Sequence, residues 1–296
     1  MLSERTGQVE AMYEVLGQNL QRCTKLKELS VKNVGVGRST DSWLFSVSLL
    51  QALVPSLSRR QSDLTSLKVT IGGISSDPTY ERHLAEQETF VMVDFFVAVL
   101  EMKSLLTLEI EICNNLDHLD ALIQAARTIK ESHQIQKPTT LTNLKIWQQS
   151  GAEGRNNISI DTSAECLLDY FSGCDRLRAL YLALPSEQWV NCYFALRGLL
   201  FDKPELESVS LCFSCYHDVD DAVMKTLVDF CQQSTSSLKE LSVFGLFSTR
   251  SDDFQRLQDW MAEKGMFMSR CREKFGEKPE ELDLLICTFV REDDNN

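Results

Sequence analysis

The chain of 296 residues contains no apolar run long enough to cross a bilayer. Its longest, Phe90 to Met102, falls short of the ~20 residues a spanning helix needs and carries Asp94 at its centre, so it reads as a buried helix. Met1 to Gln8 has neither the apolar core of a secretory signal nor the Arg-rich, acid-poor composition of an organelle leader, so a cytoplasmic protein is expected. Basic residues are in deficit, 30 Lys and Arg against 43 Asp and Glu, for a net charge of −13. That balance argues against a general nucleic-acid binder and against a protein held on an anionic membrane, and it favours a neutral or basic protein partner. Histidine is scarce: His83, His118, His133 and His217 are all there is, and none stands in a nucleophile-elbow or metalloprotease pattern. His83 and His133 fall in polar stretches expected to be loops. The ten cysteines are scattered, and in a reducing compartment they are expected to be free, mostly buried thiols.

What the chain does have is a phrase that returns. Leu26-Lys-Glu-Leu29-Ser-Val31, Leu64-Thr-Ser-Leu67-Lys-Val69, Leu105-Leu-Thr-Leu108-Glu-Ile110 and Leu141-Thr-Asn-Leu144-Lys-Ile146 share one form. Leu177-Arg-Ala-Leu180-Tyr-Leu182, Leu206-Glu-Ser-Val209-Ser-Leu211 and Leu238-Lys-Glu-Leu241-Ser-Val243 continue it, and Leu282-Asp-Leu-Leu285-Ile-Cys287 is a degenerate eighth. Successive phrases begin 38, 41, 36, 36, 29, 32 and 44 residues apart, enough for a strand, a loop and a helix of a few turns. Between phrases the apolar period lengthens from two to about 3.6, as in Trp43, Val47, Leu50, Val54, or Val223, Leu227, Phe230, or Phe254, Leu257, Met261. Thr40-Asp41-Ser42, Asp161-Thr162-Ser163, Asp218 to Asp221 and Ser251-Asp252 are candidate caps for these helices.

Strands joined through helices run parallel. The phrases alternate apolar with polar residues, Leu29 and Val31 about Ser30, Leu67 and Val69 about Lys68, so one face of the sheet is open and the helices cover the other. The expected fold is an α/β solenoid, a horseshoe of about eight units filling residues 1–290, followed by a short acidic tail at 291–296. Gly72 to Glu88 and Gln148 to Asn157 read as loop insertions after the second and fourth strands. The first helix begins close to Met1, so the chain is expected either to be a piece of a longer protein or to use Glu10 and Gln18 as a thin polar end face.

On these phrases the chain resembles the leucine-rich repeat superfamily, closest to its long-unit, ribonuclease-inhibitor-like branch. Cys23-Thr-Lys-Leu26 and Cys174-Asp-Arg-Leu177 match the Cys-x-x-Leu-x-x-Leu-x-Leu form of the cysteine-containing subtype. At the end of the strand, where that family has Asn or Cys, this chain has Gly72, Gln149 and Pro185, and Cys113 alone fits. The resemblance implies a protein-recognition scaffold. It also implies an alternative, the substrate-receptor or sensor part of a larger F-box or nucleotide-binding immune-type receptor, although no F-box and no Walker motif stand in these residues.

Catalytic chemistry finds little support. Gly35-Val-Gly37-Arg38-Ser39-Thr40 sits where a phosphate loop would, between strand and helix, but lacks the P-loop glycine spacing and its lysine. A nucleotide-binding enzyme is therefore the outsider. Cys212, Cys215 and His217 lie close in sequence, yet strand alternation turns the two thiols to opposite faces and no second pair completes a zinc site. Glu109 and Glu111 share a strand face without a pocket to desolvate either, which suits a binding patch better than an acid–base pair. No catalytic residue, metal or cofactor is expected.

The open face carries the functional reading. Its positions are mostly small or polar, with Trp147, Tyr181 and Phe244 as large aromatic exceptions, expected either to form an interface of the kind such residues enrich or to be covered by an inserted loop such as Gln148 to Asn157. Lys145 lies beside Trp147 on the same face. The expected site comprises Trp147, Tyr181, Lys145, Glu109, Glu111 and Phe244, with the two glutamates orienting a basic partner on a monomeric scaffold.

Overall fold

The computed structural model describes residues 2–23, 25–33, 40–59, 63–71, 82–113, 116–132, 140–149, 164–184, 189, 192–201, 203–213, 225–230, 238–248, 255–256, 259, 262–263 and 282–290. Strands and helices alternate as the phrases predict. In chain order they are α1 (Leu2–Arg22), β1 (Glu28–Asn33), α2 (Thr40–Arg59), β2 (Ser66–Ile71), α3 (Arg82–Leu100), β3 (Thr107–Cys113) and α4 (Leu116–Glu131). There follow β4 (Asn143–Gln149), α5 (Glu165–Ser172), β5 (Ala179–Leu184), α6 (Tyr193–Leu200), β6 (Ser208–Phe213), β7 (Glu240–Ser248) and β8 (Leu282–Val290). Residues 225–230, between β6 and β7, are also helical. The chain divides into two compact units, Met1–Leu141 with Gln148–Thr162, and Thr142–Trp147 with Ser163–Asn296.

In the first unit β1, β2 and β3 pair in parallel, with Leu29 opposite Leu67 opposite Leu108 and Val31 opposite Val69 opposite Ile110. The phrase is thus copied residue for residue from strand to strand. Leu67, Val69, Leu108 and Ile110 are buried, while Lys68 and Glu109 between them are half-buried on the other face, as alternation requires. Burying each such side chain contributes about 1.5–3 kcal/mol. Helices α1 to α4 pack in sequence, each on the next. At the first contact α1 approaches α2 closely: the Ser56 hydroxyl donates to the Gly17 carbonyl at 2.9 Å, and a Cβ on Gly17 would lie 2.6 Å from the Ala52 carbonyl oxygen. On β1 the outward residues Glu28, Ser30 and Lys32 are exposed and polar, which suits the end of a ladder.

The second unit repeats the plan. β4, β5, β6 and β7 pair in parallel, with Leu144, Leu180, Val209 and Leu241 aligned and buried, and Ile146, Leu182, Leu211 and Val243 aligned and buried two residues on. Both units share a detail of the ladder. The carbonyl of the phrase's second residue accepts two successive N–H groups from the start of the next strand: Lys27 from Thr65 and Ser66, and Thr65 from Leu106 and Thr107. In the second unit Thr142, Arg178 and Glu207 do the same for Arg178 and Ala179, Glu207 and Ser208, and Lys239 and Glu240. Each of these turns into a strand is therefore locked to its predecessor by the backbone, whatever side chain stands there.

Several expectations are corrected. β8 pairs with β7 antiparallel, Glu240 opposite Val290 and Ser248 opposite Leu282, so the eighth phrase is not a further parallel unit. Its Leu-Asp-Leu-Leu-Ile-Cys lacks the clean alternation of the others, and antiparallel pairing needs no crossover. Of the expected insertion Gly72 to Glu88, residues 82–88 and hence His83 are in α3, and 72–81 lie outside the described residues. Of Gln148 to Asn157, Gln148 and Gln149 extend β4 and the remainder is outside the description. Thr40, Asp41 and Ser42 belong to α2 itself, and α5 begins after Ala164, which makes no side-chain cap. Asp161 to Ser163, Asp218 to Asp221, Ser251-Asp252 and His133 fall outside the described residues. The polar end face expected on α1 is only partly there: Gln18 is exposed, but so are Met12 (58%) and Val15 (55%).

Candidate functional site

Three of the expected residues meet on the outward face of the second unit. Lys145 and Trp147 stand two apart on β4, and Tyr181 stands on β5, where the parallel register sets Lys145 opposite Tyr181 and Trp147 opposite Ala183. Inward Leu144 and Ile146 anchor β4 in the core, and the alternation turns Lys145 and Trp147 outward. Trp147 and Tyr181 meet edge to face, with ring centroids 6.3 Å apart and planes at 83°. The Lys145 ammonium lies over both rings, 4.3 Å from the Trp147 centroid and 5.0 Å from that of Tyr181. Opposing ring quadrupoles and a cation thus form one cluster, held by three favourable contacts rather than by burial alone.

All three side chains are half-buried. Burial pushes the Tyr181 hydroxyl above its ordinary value, and the Cys212 thiol adds to the shift. Tyr181 is neutral at physiological pH and keeps a hydroxyl able to donate. Beyond it the face is low: Ala183, Ser210, Cys212 and Ser242 occupy the neighbouring outward positions on β5, β6 and β7. The rings consequently stand above a lane of small residues.

The glutamates lie on the first unit and are engaged there. Glu109 accepts from the Lys68 ammonium at 2.8 Å, and Glu111 accepts from the Thr70 hydroxyl at 2.9 Å. The bond to Glu109, and next its charge, hold the Lys68 ammonium above the usual lysine value. Register explains both pairs, since Lys68 lies opposite Glu109 and Thr70 opposite Glu111. A single phrase carries no information on its cross-strand partners. Phe244 lies on β7 opposite Cys212, and its side chain is outside the description.

Among the described residues no group of three or more His, Cys, Asp and Glu is arranged to hold a metal ion, and no helix is long and apolar enough to cross a membrane. Cys212 is half-buried on the outward face, whereas Cys215 and His217 lie outside the described residues, as do Gly35 to Ser39 of the candidate phosphate loop. Cys23, Cys166, Cys174, Cys192 and Cys212 are free thiols; Cys174 and Cys192 are buried and Cys23 is exposed. Sequence reading missed Lys203, which is 8% exposed, donates to the Ser172 carbonyl at the end of α5 and stands 3.5 Å from the Asp175 carboxylate. Its position after a phrase-breaking Phe-Asp gives no signal of burial. Compared with protein-family models, with curated proteins and with solved structures, the chain finds no match.

Proposed function

We propose that this chain is a non-enzymatic, leucine-rich-repeat-type scaffold that binds a protein partner on its outward sheet face, centred on Lys145, Trp147 and Tyr181. The observation that carries this reading is the edge-to-face pair of Trp147 and Tyr181 under the Lys145 ammonium, on a sheet face where neighbouring positions are small or polar. Large aromatic rings left half in solvent cost hydration and gain most when a partner completes their burial, which is why they dominate interface energetics. A horseshoe, the form the resemblance implies, would present such a face as its concave side.

A photo-crosslinking residue in place of Ser210, on β6 opposite Tyr181, tests the reading in extract of the native source. A defined protein adduct is expected at that position, lost when Trp147→Ala and Tyr181→Ala are combined. The same residue in place of exposed Phe194 on α6 should give no such adduct. Equal labelling from both positions, or an adduct indifferent to the two alanines, would remove the face from consideration.

A further inference from the structure

We infer that the Lys145 cluster recognises an acidic segment of the partner, a carboxylate meeting the ammonium while adjoining side chains pack on the rings; this rests on the face being the docking surface. The inference turns on how Lys145 is satisfied, by comparison with those cations of this chain that do face carboxylates. Lys68 pairs with Glu109, Arg178 with Glu205 at 3.0 Å, Lys239 with Glu207 at 3.1 Å, and Lys203 faces Asp175. Among the described residues Lys145 has no carboxylate within salt-bridge distance, and its contacts are the two aromatic rings.

Its neighbours within the second unit supply no carboxylate. The outward positions nearest to it are Asn143 and Trp147 on its own strand and Ala179, Tyr181 and Ala183 on β5, none of them charged. Rings attract the ammonium through their faces but accept no hydrogen bond of the strength a carboxylate does, so the three N–H donors keep most of their capacity for an anion. Holding the ammonium over two rings also fixes a side chain that otherwise samples many rotamers, so an incoming carboxylate orders less. The small, half-buried residues Ser210 and Cys212 leave room beside Tyr181 for the segment that carries it. The opposite possibility, a partner cation seated on the rings, would first have to expel Lys145 and would meet its charge.

With a chain of net charge −13, long-range steering does not favour an acidic partner. Screening confines that opposition to the approach, because at physiological salt charges act over about 8 Å, and contact is governed by the local cation.

Selection from a display library of random twelve-residue peptides on the immobilised chain tests the inference, with the Trp147→Ala, Tyr181→Ala double variant as counter-selection. Peptides dependent on the rings should be enriched in Asp and Glu. Synthetic copies should bind Lys145→Gln about tenfold more weakly, a loss worth one buried charged contact, and Lys145→Arg nearly as well as the parent. Their affinity should also fall between 50 and 300 mM salt. Thermal melting of each variant establishes that it is folded. Ring-dependent peptides rich in Lys or Arg that bind Lys145→Gln more tightly, or neutral ones indifferent to that change, would overturn the acidic-partner inference while leaving the docking face standing. Finding no ring-dependent peptide at all would overturn both.

Discussion

Trp147 and Tyr181 touch diagonally across two strands, for the register sets Trp147 opposite Ala183 and Tyr181 opposite Lys145. Ala183 is what permits this. It is small and stands opposite Trp147, and Lys145, two residues before Trp147, has a ring on its own strand and a ring directly across.

Core and face residues on β4 should separate cleanly in stability measurements. Leu144, 2% exposed, is expected to cost about 2–5 kcal/mol on replacement by alanine, through lost burial and the cavity left behind. Trp147→Ala should cost far less, since it forfeits an aromatic contact and a cation contact worth together roughly 1–2 kcal/mol on a half-buried face. Denaturant unfolding of the two variants checks this, and equal losses would mean that Trp147 is a core residue.

Gly17→Ala is expected to loosen the α1–α2 contact. The added Cβ meets a backbone carbonyl at 2.6 Å, which no rotamer change can relieve, so the helices must part. A loss on the order of 1–3 kcal/mol is expected from overpacking. Faster amide exchange in α1 than in α3 would locate the damage, and an unchanged melting curve would contradict the close approach.

Lys203 should matter more than its exposed carboxylate neighbour. Replacing it with methionine keeps most of the buried stem but leaves the Ser172 carbonyl without its charged donor, at about 1–3 kcal/mol. Asp175→Asn should change stability by less than about 0.5 kcal/mol, because its side chain is 78% exposed and 3.5 Å from the ammonium. Melting temperatures of the two variants decide it.

Alkaline conditions should weaken the fold by way of two groups. Lys68 is raised by its bond to Glu109 and by that carboxylate's charge, so the folded chain holds the proton more tightly than the unfolded one. Tyr181 is raised chiefly by burial, with the same sign. Stability is therefore full below the unfolded values, about 10 for both residue types, and declines as pH rises through the higher folded ones. Unfolding midpoints measured from pH 9 to 11 should fall, and less steeply in Lys68→Met and in Tyr181→Phe.

The repeat is legible in the order of residues alone. Each phrase carries its own alternation, and alternation on a strand decides which side chains enter the core, so Leu67, Leu108, Leu144, Leu180 and Leu241 were readable as buried one phrase at a time. The same rule put Lys145, Trp147 and Tyr181 on the open face. Tertiary structure alone decided what those face residues do, because register is a relation between strands some forty residues apart. It neutralised Glu109 with Lys68 and occupied Glu111 with Thr70 on the first unit. It also brought the Lys145 ammonium over two rings, one from each strand. Direction was settled in the same way: a strand's own residues do not record whether its neighbour runs with it or against it, and β8 turned against β7 although β4 to β7 run alike.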